Sequence, residues 1–120
     1  SYKGRVPEAT EDDFAAFQAV KATGVVGTVR VPPKIVALDK LEFKDKHGTH
    51  HGCSLEEAIE YIKKAKCSIT RERWDGYHTN YYSFEGATYV SDEENVINTA
   101  FRKDDFDPTT RKIMEAFKNE

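Results

Sequence analysis

The sequence predicts an α+β domain in which helices pack on one antiparallel sheet. Three observations predict it. An amphipathic helix with its own capping signal begins in the middle of the chain, aromatic and β-branched segments broken by turn residues follow it, and a further helical pattern stands near each end. The 120 residues, 38% hydrophobic and 12% aromatic, suffice for one core and so for a single domain over 1–120.

In chain order, SYKGRVPEAT is polar and irregular. EDDFAAFQAVKA then places Phe14, Phe17 and Val20 on one face, with Thr10 and Asp13 able to cap and Gly24 as the stop, which makes 1–24 an N-terminal helical segment. VVGTVRV is β-branched and is ended by Pro32 and Pro33, and KIVALDKLEF is expected to be a second extended piece. In the stretch KHGTHHGCSLEEAIEYIKKA, Ser54 and Glu57 have capping-box spacing, and Leu55, Ala58, Ile59, Ile62 and Ala65 recur at helical intervals. SITRERWDGYHTNYYSFEG is expected to pass from a basic loop, through the turn signal Asp75-Gly76, into an aromatic strand. ATYVS, the acidic turn DEEN and VINTAF read as a hairpin, with Tyr89 and Val90 facing Val96 and Ile97. After the polar connection RKDDFD, Asp107 and Pro108 start a last helix that buries Ile113, Met114 and Phe117. There is no internal repeat, low-complexity tract or linker.

Composition narrows the function classes. A charged fraction of 32% and a mean hydropathy of −0.70 predict a soluble surface, and no apolar run is long enough to span a membrane. The chain begins with Ser and shows no signal peptide, as an excised domain or processed product would. Cys53 and Cys67, at opposite ends of one predicted helix, are too far apart for a disulfide and read as free thiols of a reducing compartment. The net charge of −3 argues against binding nucleic acid by bulk electrostatics. Its distribution permits a local basic face, because Lys63, Lys64, Lys66, Arg71 and Arg73 stand against Glu72 alone between positions 63 and 73. A charge run of this kind is equally the solvated face of a helix.

The residues that can carry chemistry surround the central helix. His47, His50 and His51 lie just ahead of its N-terminus, where unpaired backbone N–H groups attract anions, and His is the side chain that exchanges protons most readily near neutrality. The bland alternative for each is an exposed loop histidine. The spacing HxxHHxC also allows a transition metal, whereas His78 stands alone. Arg71 and Arg73 can clamp a phosphate or serve as surface ion pairs, and Thr99, with Arg102 and Lys103 just beyond it, can hold a phosphate oxygen or merely favour a strand. The aromatics Tyr77, Tyr81, Tyr82, Phe84 and Tyr89 can stack on bases or pair across strands. No GxGxxG, Walker lysine loop, GxSxG elbow or HExxH helix occurs.

Taken together, Lys-His-Gly, a capped SxEEA helix, an Arg and Asp-Gly turn, a Tyr-rich strand and a hairpin returning through VINTAF resemble the BECR ribonuclease fold. That group unites barnase, EndoU, colicin and RelE-like nucleases, and its toxin domains at the C-termini of bacterial polymorphic or contact-dependent inhibition toxins and phage-associated proteins are the nearest in pattern. The resemblance covers residues 43 to about 107 and implies a nuclease core over 43–118. It implies metal-independent endonucleolytic cleavage of RNA, tRNA in particular, through a 2′,3′-cyclic phosphate and with no cofactor. It assigns His47 as acid or base, Arg73 as the transition-state cation, Thr99 as the phosphate-contacting hydroxyl, and Tyr82, or Tyr81 in its place, as the aromatic member. Lys46, Arg71, Arg102 and Lys103 would bind substrate. The spare His50 and His51 leave acid and base open. The implied partners are RNA and a cognate immunity protein, and the implied setting is the target-cell cytoplasm, reached within a larger secreted or delivered protein. Two rival expectations are a non-catalytic binding or inhibitor protein of phage or anti-defence type, and a zinc-stabilised interaction module.

Overall fold

The computed structural model describes residues 18–22, 24, 27–30, 37–44, 52–74 and 76–118. They form helical residues 18–22 (α1), β1 (Thr28–Arg30), a 3-10 turn (Leu38–Lys40), α2 (Leu55–Lys63), β2 (Cys67–Arg73), β3 (Gly76–Tyr82), β4 (Gly86–Ser91), β5 (Val96–Arg102), a second 3-10 turn (Lys103–Asp105) and α3 (Pro108–Lys118). The five strands make one antiparallel sheet in the order β1-β2-β3-β4-β5, so each strand pairs with its neighbour in sequence. Three helices pack on this sheet, which is the predicted α+β class.

Strand alternation divides the side chains between two faces. Cys67, Tyr82, Ala87 and Phe101 lie in register across β2 to β5, as do Ile69, Asn80, Tyr89 and Thr99, and Arg71, His78, Ser91 and Val96. This face is covered by Val20 of α1 and by Ile113, Met114 and Phe117 of α3, all buried. The opposite face presents Tyr81, Val90, Ile97 and Ala100 to Ala58, Tyr61 and Ile62 of α2 and to Leu38 and Leu41. Thr88 Oγ1 on that face donates to the Ala58 carbonyl at 2.7 Å, tying sheet to helix. Cys53 and Cys67 fall in the two different cores, both buried and unpaired by a disulfide.

The local signals act as elementary chemistry requires. Ser54 Oγ accepts from Glu57 N while Glu57 Oε1 accepts from Ser54 N, both at 3.1 Å, completing the capping box of α2. Asp107 Oδ1 accepts from Thr110 N at 2.7 Å at the start of α3, and Pro108 fills the first turn, where a missing N–H costs nothing.

Three expectations are corrected. The basic stretch after α2 is not a loop but the strand β2, whose first four residues are buried and whose last three are exposed. Of the predicted extended piece after Pro33, the described residues 37–43 contribute a 3-10 turn and a single parallel bridge, Phe43 to Ile97, instead of a strand. In the last hairpin Val90 does face Ile97, but Tyr89 faces Thr99, because an irregularity between Tyr89 and Val90 leaves Asn98 as an extra residue on β5. The predicted cap of the first helix and its Phe14 and Phe17 lie outside the described residues.

A polar chain runs beneath the α2 face. Arg30 Nη1 donates to Thr70 Oγ1 at 2.9 Å, the Thr70 and Thr79 hydroxyls lie 2.9 Å apart, and Thr79 Oγ1 donates to Asp92 Oδ2 at 2.8 Å. An ionised carboxylate only accepts, so Thr79 must receive its bond from Thr70 and Thr70 from the guanidinium. The chain braces β1, β2 and β3 against the β4–β5 turn, with every hydroxyl satisfied.

Candidate active site

The half of β2 that escapes the core carries Arg71 and Arg73, two residues apart and hence on one face. The β2–β3 ladder pairs Arg73 with Gly76 and Arg71 with His78. Both arginines and His78 therefore meet on the α3 face, beyond the point where α3 seals it. They line a groove of about 600 Å³ with Asn80, Tyr82, Tyr89, Asn98, Asp107 and Thr110.

His78 is half-buried, and its Nδ1 lies 2.9 Å from Asn98 Nδ2. The bulge that displaces Asn98 is what brings its amide to the ring. With the amide donating, His78 accepts at Nδ1 and carries its proton on Nε2. With the amide turned, Asn98 Oδ1 accepts from Nδ1–H and Nε2 becomes the basic nitrogen. Asn98 thus serves either tautomer and fixes the ring in both.

The wall beside His78 is aromatic and neutral. Tyr82 and Tyr89 stack edge to face with centroids 6.1 Å apart, continued by Phe101 and Phe106 at 5.2 Å and 5.8 Å. Tyr82 Oη accepts from Asn80 Nδ2 at 3.2 Å. Burial pushes both phenols up from their ordinary pKa, so they stay protonated and act as hydrogen-bonding groups. Tyr89 is also hydrogen-bonded to Tyr82 and Thr110, which links the wall to the first turn of α3.

Arg71 and Arg73 are exposed, and among the described residues neither side chain has an ion-pair or hydrogen-bond partner. Other cations are matched: Lys44 to Glu94 at 3.1 Å, Lys63 and Lys64 to Glu60 at 3.7 Å and 3.6 Å, and Lys66 over the Phe84 ring at 5.6 Å. The basic run between 63 and 73 is therefore split along β2, and only its last two arginines reach the groove.

The structure brings Arg71, Arg73 and Tyr82 together. Tyr81 is on the opposite face, against α2, which separates it from this site. Thr99 pairs with Tyr89 on the groove face, next to Asn98 on β5, but does not itself line the groove. Arg102 and Lys103 lie elsewhere, at the far end of β5, roughly 20 Å along the strand from Val96, which is in register with His78 through Ser91. There Arg102 Nε and Nη2 donate to the two Glu57 carboxylate oxygens at 3.2 Å and 3.1 Å, and Nη2 donates to the Gly52 carbonyl at 3.0 Å. Lys103 sits 3.9 Å from Glu85. Both line one pocket of mixed charge, with Glu56, Glu60 and Asp104.

The Arg102 clamp has a pH consequence. The Ser54 backbone N–H, and then Arg102, hold the Glu57 carboxyl below its ordinary value of 4.5. A depressed folded pKa means that this stabilisation is complete above the ordinary value and is lost as pH falls through the folded one. Melting temperatures across an acid titration are expected to fall less for Glu57→Gln than for the wild type below pH 4.5, since Gln keeps the capping geometry without the titration. Parallel curves would remove Glu57 from the acid response.

Lys46, His47, His50 and His51 lie outside the described residues, as does most of the HxxHHxC spacing. Among the described residues no three of His, Cys, Asp and Glu converge as a metal-binding group. The sequence did not single out His78 or Asn98 for this site, and it marked Asp107 only as the start of the last helix. The signal for His78 was present, because a two-residue turn at Trp74–Asp75 puts Arg71 opposite His78 once RERW is taken as a strand end. Among the described residues no helix is long and apolar enough to cross a membrane. Comparison with protein-family models, with curated proteins and with solved structures finds no match.

Proposed function

We propose that this groove binds an RNA phosphodiester and cleaves it by transesterification without a metal. The observation that carries the reading is the convergence of two arginines, unpartnered among the described residues, on an oriented histidine across one strand pair. The ribose 2′-hydroxyl gives its proton to His78 and attacks phosphorus. Arg71 and Arg73 offset the charge that builds on the equatorial oxygens. The bond to the 5′ oxygen breaks, that oxygen takes a proton from solvent, and a 2′,3′-cyclic phosphate remains. The resemblance to toxin nucleases extends this to tRNA as substrate and to an immunity protein that would cover Arg71 and Arg73 with acids. His47 belongs to that proposal as a second acid or base.

Incubation with total bacterial RNA in EDTA tests the reading, with discrete fragments as the expected outcome. Binding without any cleavage would favour the rival, a protein that takes RNA and does not turn it over. The arginines make a separate prediction. Deleting one cation that neutralises a phosphate should flatten the dependence of log affinity on log salt by about 0.7 on a single strand, so Arg71→Ala and Arg73→Ala each reduce the slope by that amount. An unchanged slope would place the phosphates elsewhere.

A further inference from the structure

Trp74 is the largest apolar side chain in the sequence and is 94% exposed, at the tip of the β2–β3 hairpin directly after Arg73. The tip is braced. Asp92 N donates to the Tyr77 carbonyl at 3.0 Å, and Glu93 packs so closely on Gly76, at φ +119°, that a Cβ there would run into its Cγ. The indole thus stands in water one residue after Arg73, at the end of a strand whose Arg71 and Arg73 are spaced about 7 Å apart. Cationic side chains next to an exposed aromatic form the pattern that tracks a single-stranded backbone while a base stacks. A base inside a duplex already has both faces covered and offers no such surface.

We infer that Trp74 is a substrate-stacking residue that takes an unpaired base beside the phosphate held by Arg71 and Arg73, so that the substrate class is single-stranded or loop RNA. The inference rests on the groove binding RNA. Tyr77, the hairpin's other exposed aromatic, pairs with Glu72 and so faces away from the arginines.

Trp74 is the sole tryptophan, so its fluorescence reports the contact directly. The test titrates the domain with a fluorescein-labelled 2′-O-methyl oligoribonucleotide, which lacks the attacking hydroxyl, as a single strand and as a perfect duplex. Anisotropy reads binding and indole emission reads stacking. The single strand is expected to quench saturably and the duplex not to, and Trp74→Ala should bind the single strand about five- to a hundredfold more weakly, with Trp74→Phe between. Binding by anisotropy with no quenching, or with Trp74→Ala unaffected, overturns the stacking inference and leaves the groove reading standing. Equal quenching by duplex overturns the single-strand assignment. No binding of either form overturns both. Quenching by the single strand, with natural RNA left uncleaved, supports the stacking role and removes the catalytic one.

Discussion

His78→Ala is expected to lower the rate of RNA cleavage by about 10² to 10⁴, the range a positioned acid or base contributes, while the fold melts as the wild type does. His78 is half-buried at the groove and makes no part of either hydrophobic core. The loss should fall on kcat more than on KM, because Arg71 and Arg73 still hold the phosphate. Single-turnover cleavage of a labelled RNA at saturating enzyme measures it. A variant within about threefold of the wild type would take His78 out of the reaction and turn attention to His47.

Ile97→Ala is the substitution expected to damage the fold most. Ile97 is wholly buried, faces Val90 across the irregular β4–β5 pair and packs in the core beneath α2. Its N–H donates to the Glu42 carbonyl at 2.8 Å and its carbonyl accepts from Lys44 N at 2.9 Å, so the segment before α2 is anchored to the sheet at this residue. Truncation leaves a cavity where the backbone is held on both sides and cannot collapse, at a cost of about 2–5 kcal/mol. Thermal unfolding should shift by roughly 3–6 °C for each of these. A loss below about 1 kcal/mol would mean that the core under α2 is loosely packed.

The capped helix and the Asp107-Pro108 start were legible in the sequence because their signals are local: an oxygen three residues from the N–H it must accept. The final hairpin was legible in its strands but not in its register, since nothing in VINTAF announces that Asn98 will be extruded. That one residue decides whether Tyr89 meets Asn98 or Thr99, and it also delivers the amide that holds His78. β2 was misread because only CSIT looks like a strand. RER projects beyond α3 into solvent and carries the charges that a buried strand excludes. The same escape from the core that hid the strand created the groove, so the error and the omission of His78 have one cause. Arg102 and Lys103 looked alike in sequence to Arg71 and Arg73, and only tertiary pairing with Glu57 and Glu85 distinguishes them.

In the proposed reaction the groove at Arg71, Arg73 and His78 directs a ribose hydroxyl onto its own phosphate. A DNA strand carrying a single ribonucleotide, incubated with the domain in EDTA and resolved by mass spectrometry, tests it most directly. The account predicts one cut, 3′ of that ribonucleotide, leaving a 2′,3′-cyclic phosphate on one fragment and a 5′-hydroxyl on the other. Cuts at deoxy positions, or fragments ending in 3′-hydroxyl and 5′-phosphate, would contradict it.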